Sequence, residues 1–176
     1  MKKLLVVTML LTIVLTLASC SKKEETGFPE GMTYSENDAV DFMFFYPEDW
    51  TLDRNDGMVS ARVSDKDHSN VSVTVFTSPE GVVDIEGYLK DTYLGYVKEN
   101  FPDLEMLSEN EKTTLGGVDA RQNVFSATVA GEKYQFLQVI TYRYGYIYIL
   151  TYTSTAEGFD SHTEEVQKII KEFKFN

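Results

Sequence analysis

The chain holds one cysteine, two histidines and four prolines in 176 residues, and its 16 Lys+Arg are outnumbered by 28 Asp+Glu. Each shortage excludes something. A lone Cys20 forms no intramolecular disulfide, no multi-cysteine zinc site and no CxxC redox pair. Scarce proline beside 13% aromatic and 43% hydrophobic residues is wrong for a disordered chain. A net charge of −12 argues against nucleic acid as a partner, since phosphate binding requires a basic surface. Neither a P-loop nor a GxGxxG fingerprint occurs. The length suits a single domain, for which about 100–200 residues is ordinary.

What is present begins with an address. Lys2 and Lys3 precede an uncharged apolar run from Leu4 to Leu17, closed by Ala18 and Ser19, the layout of a signal peptide over residues 1–19. The run is too short to span a membrane as a helix, which takes about 20 apolar residues. Leu17-Ala18-Ser19-Cys20 resembles the lipobox of bacterial lipoproteins at all four positions. That resemblance implies diacylglyceryl transfer to the Cys20 sulfur, cleavage before Cys20, and acylation of the new amine by palmitate-like chains. Acyl chains at about 0.8 kcal/mol per buried CH₂ would hold the protein at the cell membrane, facing the extracytoplasmic side. Losing Lys2 and Lys3 takes the formal charge from −12 to −14, so anionic headgroups repel the body. Residues 20–31, polar with Gly and Pro, read as a flexible tether, leaving 32–176 as the domain.

Along that domain, Phe42 to Tyr46 ending at Pro47 reads as a buried strand, which Trp50 to Asp53 resumes. Asp53 to Gly57 is turn chemistry. Val59-Ala61-Val63 and Val71-Val73-Val75 alternate with polar residues as two strands joined by a loop over 65–70. A helix is expected over 85–100, capped by Asp84 and stopped before Pro102. Its apolar face carries Ile85, Tyr88, Leu89, Thr92, Tyr93, Tyr96 and Val97. Three hairpins follow, turning at Gly116-Gly117, Ala130-Gly131 and Tyr144-Gly145. A two-residue turn at Tyr144-Gly145 sets Tyr142 opposite Ile147, Ile140 opposite Ile149 and Gln138 opposite Thr151. Both faces of that hairpin are then substantially apolar, whereas a strand pair with one wet face alternates cleanly. The pattern implies an α+β fold in which a central, mainly antiparallel sheet is sandwiched by helices. Ser161-x-x-Glu164 matches a capping box for a second helix with Val166, Ile169, Ile170 and Phe173 inward, and residues 173–176 suit a short terminal strand.

The ordered set of Phe44-Phe45-Tyr46-Pro47-Glu48-Asp49-Trp50, Leu115 to Arg121 and Tyr148 to Thr153 with Phe159 and Phe173 resembles the PsbP-like family over roughly residues 33–175. The resemblance implies an α/β/α sandwich, as in the extrinsic photosystem II subunits and the Ran-binding import factors. It also implies binding or accessory work rather than catalysis. The lipobox departs from the plant and nuclear members and fits bacterial members, many of them lipoproteins with no assigned role.

The search for chemistry gives little. His68 sits in a loop and His162 at the start of the second helix, neither in a GxSxG or HExxH setting. Lipid consumes the Cys20 thiol. The loops Asp53 to Gly57 and Asp65 to Asn70 miss the spacing or the glycine of a calcium loop. The carboxylate pairs Glu24-Glu25, Glu48-Asp49 and Glu164-Glu165 lie where solvated or helix-end roles suffice. No catalytic, metal or cofactor residue is therefore expected. Tyrosine is abundant, with 11 in the chain, and Tyr144 and Tyr146 at a hairpin tip are the candidate partner contacts, for a protein or a small ligand. The expected function is a lipid-anchored extracytoplasmic binding or accessory module. An accessory subunit of an exported enzyme or transporter comes second, and a hydrolase third.

Overall fold

The computed structural model describes residues 27–35, 40–55 and 58–176; Cys20, the leader and the first part of the tether lie outside them. The elements run β1 (Met32–Ser35), β2 (Phe42–Pro47), β3 (Thr51–Asn55), β4 (Met58–Arg62) and β5 (Asn70–Thr77). A helix, α1, covers 85–100. Strands β6 (Glu105–Leu115), β7 (Val118–Val129), β8 (Glu132–Arg143) and β9 (Tyr146–Thr155) follow. A 3-10 turn (Phe159–His162) leads into α2 (Thr163–Glu172), and β10 (Lys174–Phe175) closes the chain.

A seven-stranded sheet in the order β3-β4-β5-β9-β8-β7-β6 forms the middle layer, with every pairing antiparallel. From β5 the chain crosses one face as α1 and reaches the far edge at β6. It then meanders back until β9 slots in beside β5. The β8–β9 register is the expected one, with Tyr142 opposite Ile147, Ile140 opposite Ile149 and Gln138 opposite Thr151. Two-residue turns with both residues at positive φ join the hairpins, namely Gly116-Gly117, Ala130-Gly131 and Tyr144-Gly145. That handedness matches the strand twist.

Both faces of the β8–β9 hairpin are buried. On one, Leu137, Val139, Tyr148, Leu150 and Tyr152 join a core with Phe44, Phe45, Val166 and Ile169. On the other, Ile140 and Ile147 join Tyr88, Leu89, Tyr93, Val97 and Phe125. The expectation of two covers holds, but only one is purely helical. The second pairs α2 with a three-stranded sheet in the order β1-β2-β10, and β2, buried at five of its six positions, lies in that sheet rather than in the main one.

Two local expectations are corrected. The Ser161–Glu164 capping box does not form, because the N-cap of α2 is His162, with no side-chain cap. Phe159 is responsible: its carbonyl accepts the buried Tyr152 hydroxyl at 2.8 Å and its ring lies 4.8 Å from that of Tyr152. This holds 159–162 as a 3-10 turn and places Ser161 inside it. In α1, Asp84 does cap, Oδ1 accepting from the Gly87 amide at 2.8 Å, but Tyr96 is 64% exposed. The segment Leu89–Tyr93 is a π turn in which the Leu94 amide reaches back to the Leu89 carbonyl. The wider turn brings Tyr93 and Val97 to the sheet and leaves Tyr96 outside.

Gly116 permits a close approach that Gly117 does not share. A Cβ built at Gly116 falls 2.6 Å from Phe175 Cδ2, whereas one at Gly117 meets nothing within 4 Å. Both have positive φ. Gly117→Ala should therefore cost about 1 kcal/mol of left-handed strain, and Gly116→Ala about 2–3 kcal/mol once the displaced ring is added. Urea unfolding of the two variants side by side measures the difference.

Candidate functional site

At the β8–β9 tip the turn needs positive φ at both central residues. Gly145 takes φ 84° without cost, but Tyr144 stands at φ 50°, a conformation disfavoured for a bulky L-residue. Its ring is 83% exposed and that of Tyr146 46%. Tyr144 is nevertheless held. The Arg143 guanidinium lies 4.6 Å from the Tyr144 ring centre and 4.6 Å from that of Phe175, a cation–π contact with each. Arg143 Nη1 donates to Asp41 Oδ2 at 2.6 Å and Nη2 to the Asn176 carbonyl at 3.2 Å. The buried Tyr148 hydroxyl donates to the same Asp41 oxygen at 2.8 Å. Burial first, then that hydrogen bond, pushes the Tyr148 phenol up to about 12. From behind, the Ser78 amide donates to the Gly145 carbonyl at 2.8 Å. Beside the tip, Val40, Asp41, Val75, Tyr146 and Tyr148 enclose about 350 Å³. The tip thus presents two exposed aromatic rings, that of Tyr144 held by Arg143, next to a small hollow, which suits recognition.

The chain enters the domain at the opposite end. The Phe28 ring packs 4.8 Å from Tyr34, and the Glu48 amide donates to the Gly31 carbonyl at 3.2 Å. Lys168 Nζ also donates to the Glu30 carbonyl. From Asp41, at the tip, the six residues of β2 lead to Pro47, at the entry, a span of about 20 Å at roughly 3.3 Å per residue. Tip and entry are opposite poles.

The histidines are structural in their contacts. His68 Nε2 lies 3.1 Å from the Asp65 carbonyl. His162 Nε2 lies 3.0 Å from Asp67 Oδ2, with its ring edge-on to Trp50 at 5.9 Å. Asp67 with His162 and nearby Ser69 superficially suggests a triad, but the buried Ser69 hydroxyl bonds Ser154 at 2.8 Å instead. Asp65 and Asp53 both turn to Arg62, so the carboxylates of the two loops meet on a guanidinium that already neutralises them. Among the described residues no three acidic, His or Cys side chains stand close enough to hold a metal ion. A cleft of about 550 Å³ at the start of α1, lined by Asp84, Glu86, Asp91 and Glu109 among others, is acidic but scattered.

Hydrogen bonds from Ser69, set against burial and joined by His162, bring the Asp67 carboxyl down to about 2 from 3.8. A depressed folded pKa stabilises the fold above the unfolded value and loses that stabilisation as pH falls through the folded one. The advantage over Asp67→Asn should be constant above pH about 4 and shrink as pH falls toward about 2. Asp67 is 44% exposed, so solvent screening limits the effect to about 1 kcal/mol. Urea midpoints of both proteins at pH 6 and pH 3 test this.

Sequence reasoning singled out Tyr144 and Tyr146, and the structure sets both at the surface of one tip. It missed Asp41, Arg143 and Asn176, of which Arg143 holds the Tyr144 ring and the other two hold Arg143; Arg143 and Asp41 are 102 residues apart in sequence, and no local pattern announces such a pair. Cys20 lies outside the described residues.

A model of the PsbP-like protein family matches residues 15–175. No curated protein matches. Among solved structures, the cyanobacterial PsbP of Synechocystis (CyanoP) is similar at TM-score 0.60 and 14% identity, covering 91% of this chain and 99% of that one. LpqN, described as involved in cell envelope biogenesis of Mycobacterium tuberculosis, is similar at TM-score 0.60 and 13% identity, covering 82% and 90%. The Ran-binding protein Mog1p of Saccharomyces cerevisiae follows at TM-score 0.58 and 9% identity, covering 82% and 95%. At such identities the likeness is one of fold.

Proposed function

The chain belongs to the PsbP-like family, and from that premise we propose that it is a lipid-anchored binding or accessory module working outside the cytoplasmic membrane. Its partner contacts are Tyr144 and Tyr146. The observation that carries this reading is the opposition of the two poles. With the tether leaving at Gly31 and lipid on Cys20, the tyrosine tip lies on the side of the domain away from the tether and can reach whatever lies in the envelope. Fold relatives whose names mark them as binding or envelope proteins support such work. The acidic body, at −12 overall, favours a partner with a basic face, and the association weakens as salt rises.

A photo-crosslinking residue placed at 144 or 146 in living cells should capture a discrete protein, while one at Val129, exposed at the other pole, should not. Equal adducts from all three positions overturn the reading. Tyr144→Ser with Tyr146→Ser should abolish capture from a neighbouring tip position. It should lower the melting temperature by only about 2–4 °C, the loss of roughly 1 kcal/mol of cation–π contact.

A further inference from the structure

The apolar face of α1 does not seat fully on the sheet. Between its second half and β5, β8 and β9 lies a cavity of about 440 Å³, within the size range of small-molecule sites, about 300–1,000 Å³. Its walls are rings: Phe76, Tyr88, Tyr93, Tyr96, Phe101 and Phe125. No Asp, Glu, Lys, Arg or His lines it among the described residues. In a chain with 28 acids and 16 bases, such a charge-free lining disfavours any ionic guest, which would be desolvated without a counter-charge. One polar line crosses the sheet side. The Tyr93 hydroxyl donates to Gln138 Oε1, and Gln138 Nε2 donates to Thr151 Oγ1 at 3.2 Å. Thr151 therefore already accepts a hydrogen bond and keeps its own O–H to give. The helix side includes Thr92 and Tyr93, the end of the π turn at Leu89–Tyr93, an irregularity frequent at functional sites. The exposed Tyr96 ring forms part of the lining.

We propose that this cavity binds an uncharged planar ring compound carrying a carbonyl oxygen, with its ring between the aromatic walls and its oxygen accepting from Thr151. Aromatic walls reward a ring over an acyl chain through offset and edge contacts beyond area alone. The cavity is separate from the tyrosine tip, so this site stands whether or not the tip binds a partner.

Coumarin, neutral and planar with one carbonyl, is the probe. It is titrated into the full chain, methyl-labelled and carried in lipid nanodiscs. Saturable shifts are expected at the methyls of Thr74, Thr92, Val97, Ile149 and Thr151. Leu150, Val166 and Ile169, on the opposite face, should stay still. Thr151→Val, which keeps the volume and removes the donor, should weaken binding about fivefold, the worth of one hydrogen bond. Thr151→Phe should fill the cavity and abolish the shifts. Thr74→Trp, at an exposed lining position, does the same by narrowing the cavity, and serves if the Phe variant unfolds. The proposal is overturned by no shift at millimolar coumarin, by shifts scattered over both faces, or by undiminished binding in the filled variant.

Discussion

Leu150→Ala and Ile147→Ala should each lower the unfolding free energy by about 2–5 kcal/mol, the cost of emptying a fully buried large aliphatic site. The two residues lie on one strand and point in opposite directions. Leu150 faces the core under α2 and the three-stranded sheet, Ile147 the core under α1, and both are 0% exposed. A sheet open on one side would give one large loss and one near zero. The comparison thus weighs the two-layer cover directly, by urea unfolding with an unchanged slope. Ile149 adds a finer test. It shares the Ile147 face but lines the cavity under α1, where fewer atoms pack against it, so Ile149→Ala should cost less than Ile147→Ala. Equal costs would mean that the gap closes in solution.

The same hairpin explains why so much of the fold was legible. Tyr144-Gly145 fixed the turn length, turn length fixed the register, and register exposed two apolar faces at once. The Asp84 cap and the Pro102 stop bounded α1 for equally local reasons. What escaped was non-local. Phe42 to Tyr46 reads as a strand in any setting, and nothing in its period says which sheet it joins; the partners, β1 and β10, come from either end of the domain. Ser161 and Glu164 have the spacing of a capping box, yet the packing of Phe159 against Tyr152 decided otherwise. Tyr96 fits a 3.6-residue stripe, and only the π turn puts it outside. At the tip, the exposure of Tyr144 and Tyr146 follows from turn chemistry. The clamp of Asp41, Arg143 and Asn176 requires three distant segments to meet. The cavity is least legible of all, since a gap reflects the mismatch of side-chain volumes across a helix–sheet interface.

Removing the proposed lipid anchor should change the behaviour of the protein more than any substitution in the domain. The test replaces residues 1–19 with a conventional cleaved secretory leader and makes Cys20→Ala, so that the apolar run cannot itself hold the chain. The native protein should incorporate labelled palmitate and sediment with membranes; the variant should do neither and appear in the soluble fraction. At about 0.8 kcal/mol per buried CH₂, two long acyl chains give stable anchoring where a single chain is marginal. The body of the protein is strongly acidic, Lys22 and Lys23 are the one basic pair beside Cys20, and among the described residues no helix is long and apolar enough to cross a membrane. A native protein without label, or a variant that still sediments, removes the anchor from the reading. Release also separates tethering from recognition. An anchored domain meets an envelope partner at an effective concentration set by its tether, while a released one meets it at its dilute free concentration. Crosslinking through position 144 should therefore fall in cells expressing the released form. The purified released protein should bind the captured partner with unchanged affinity, because the tip lies at the far pole from the point where the tether leaves.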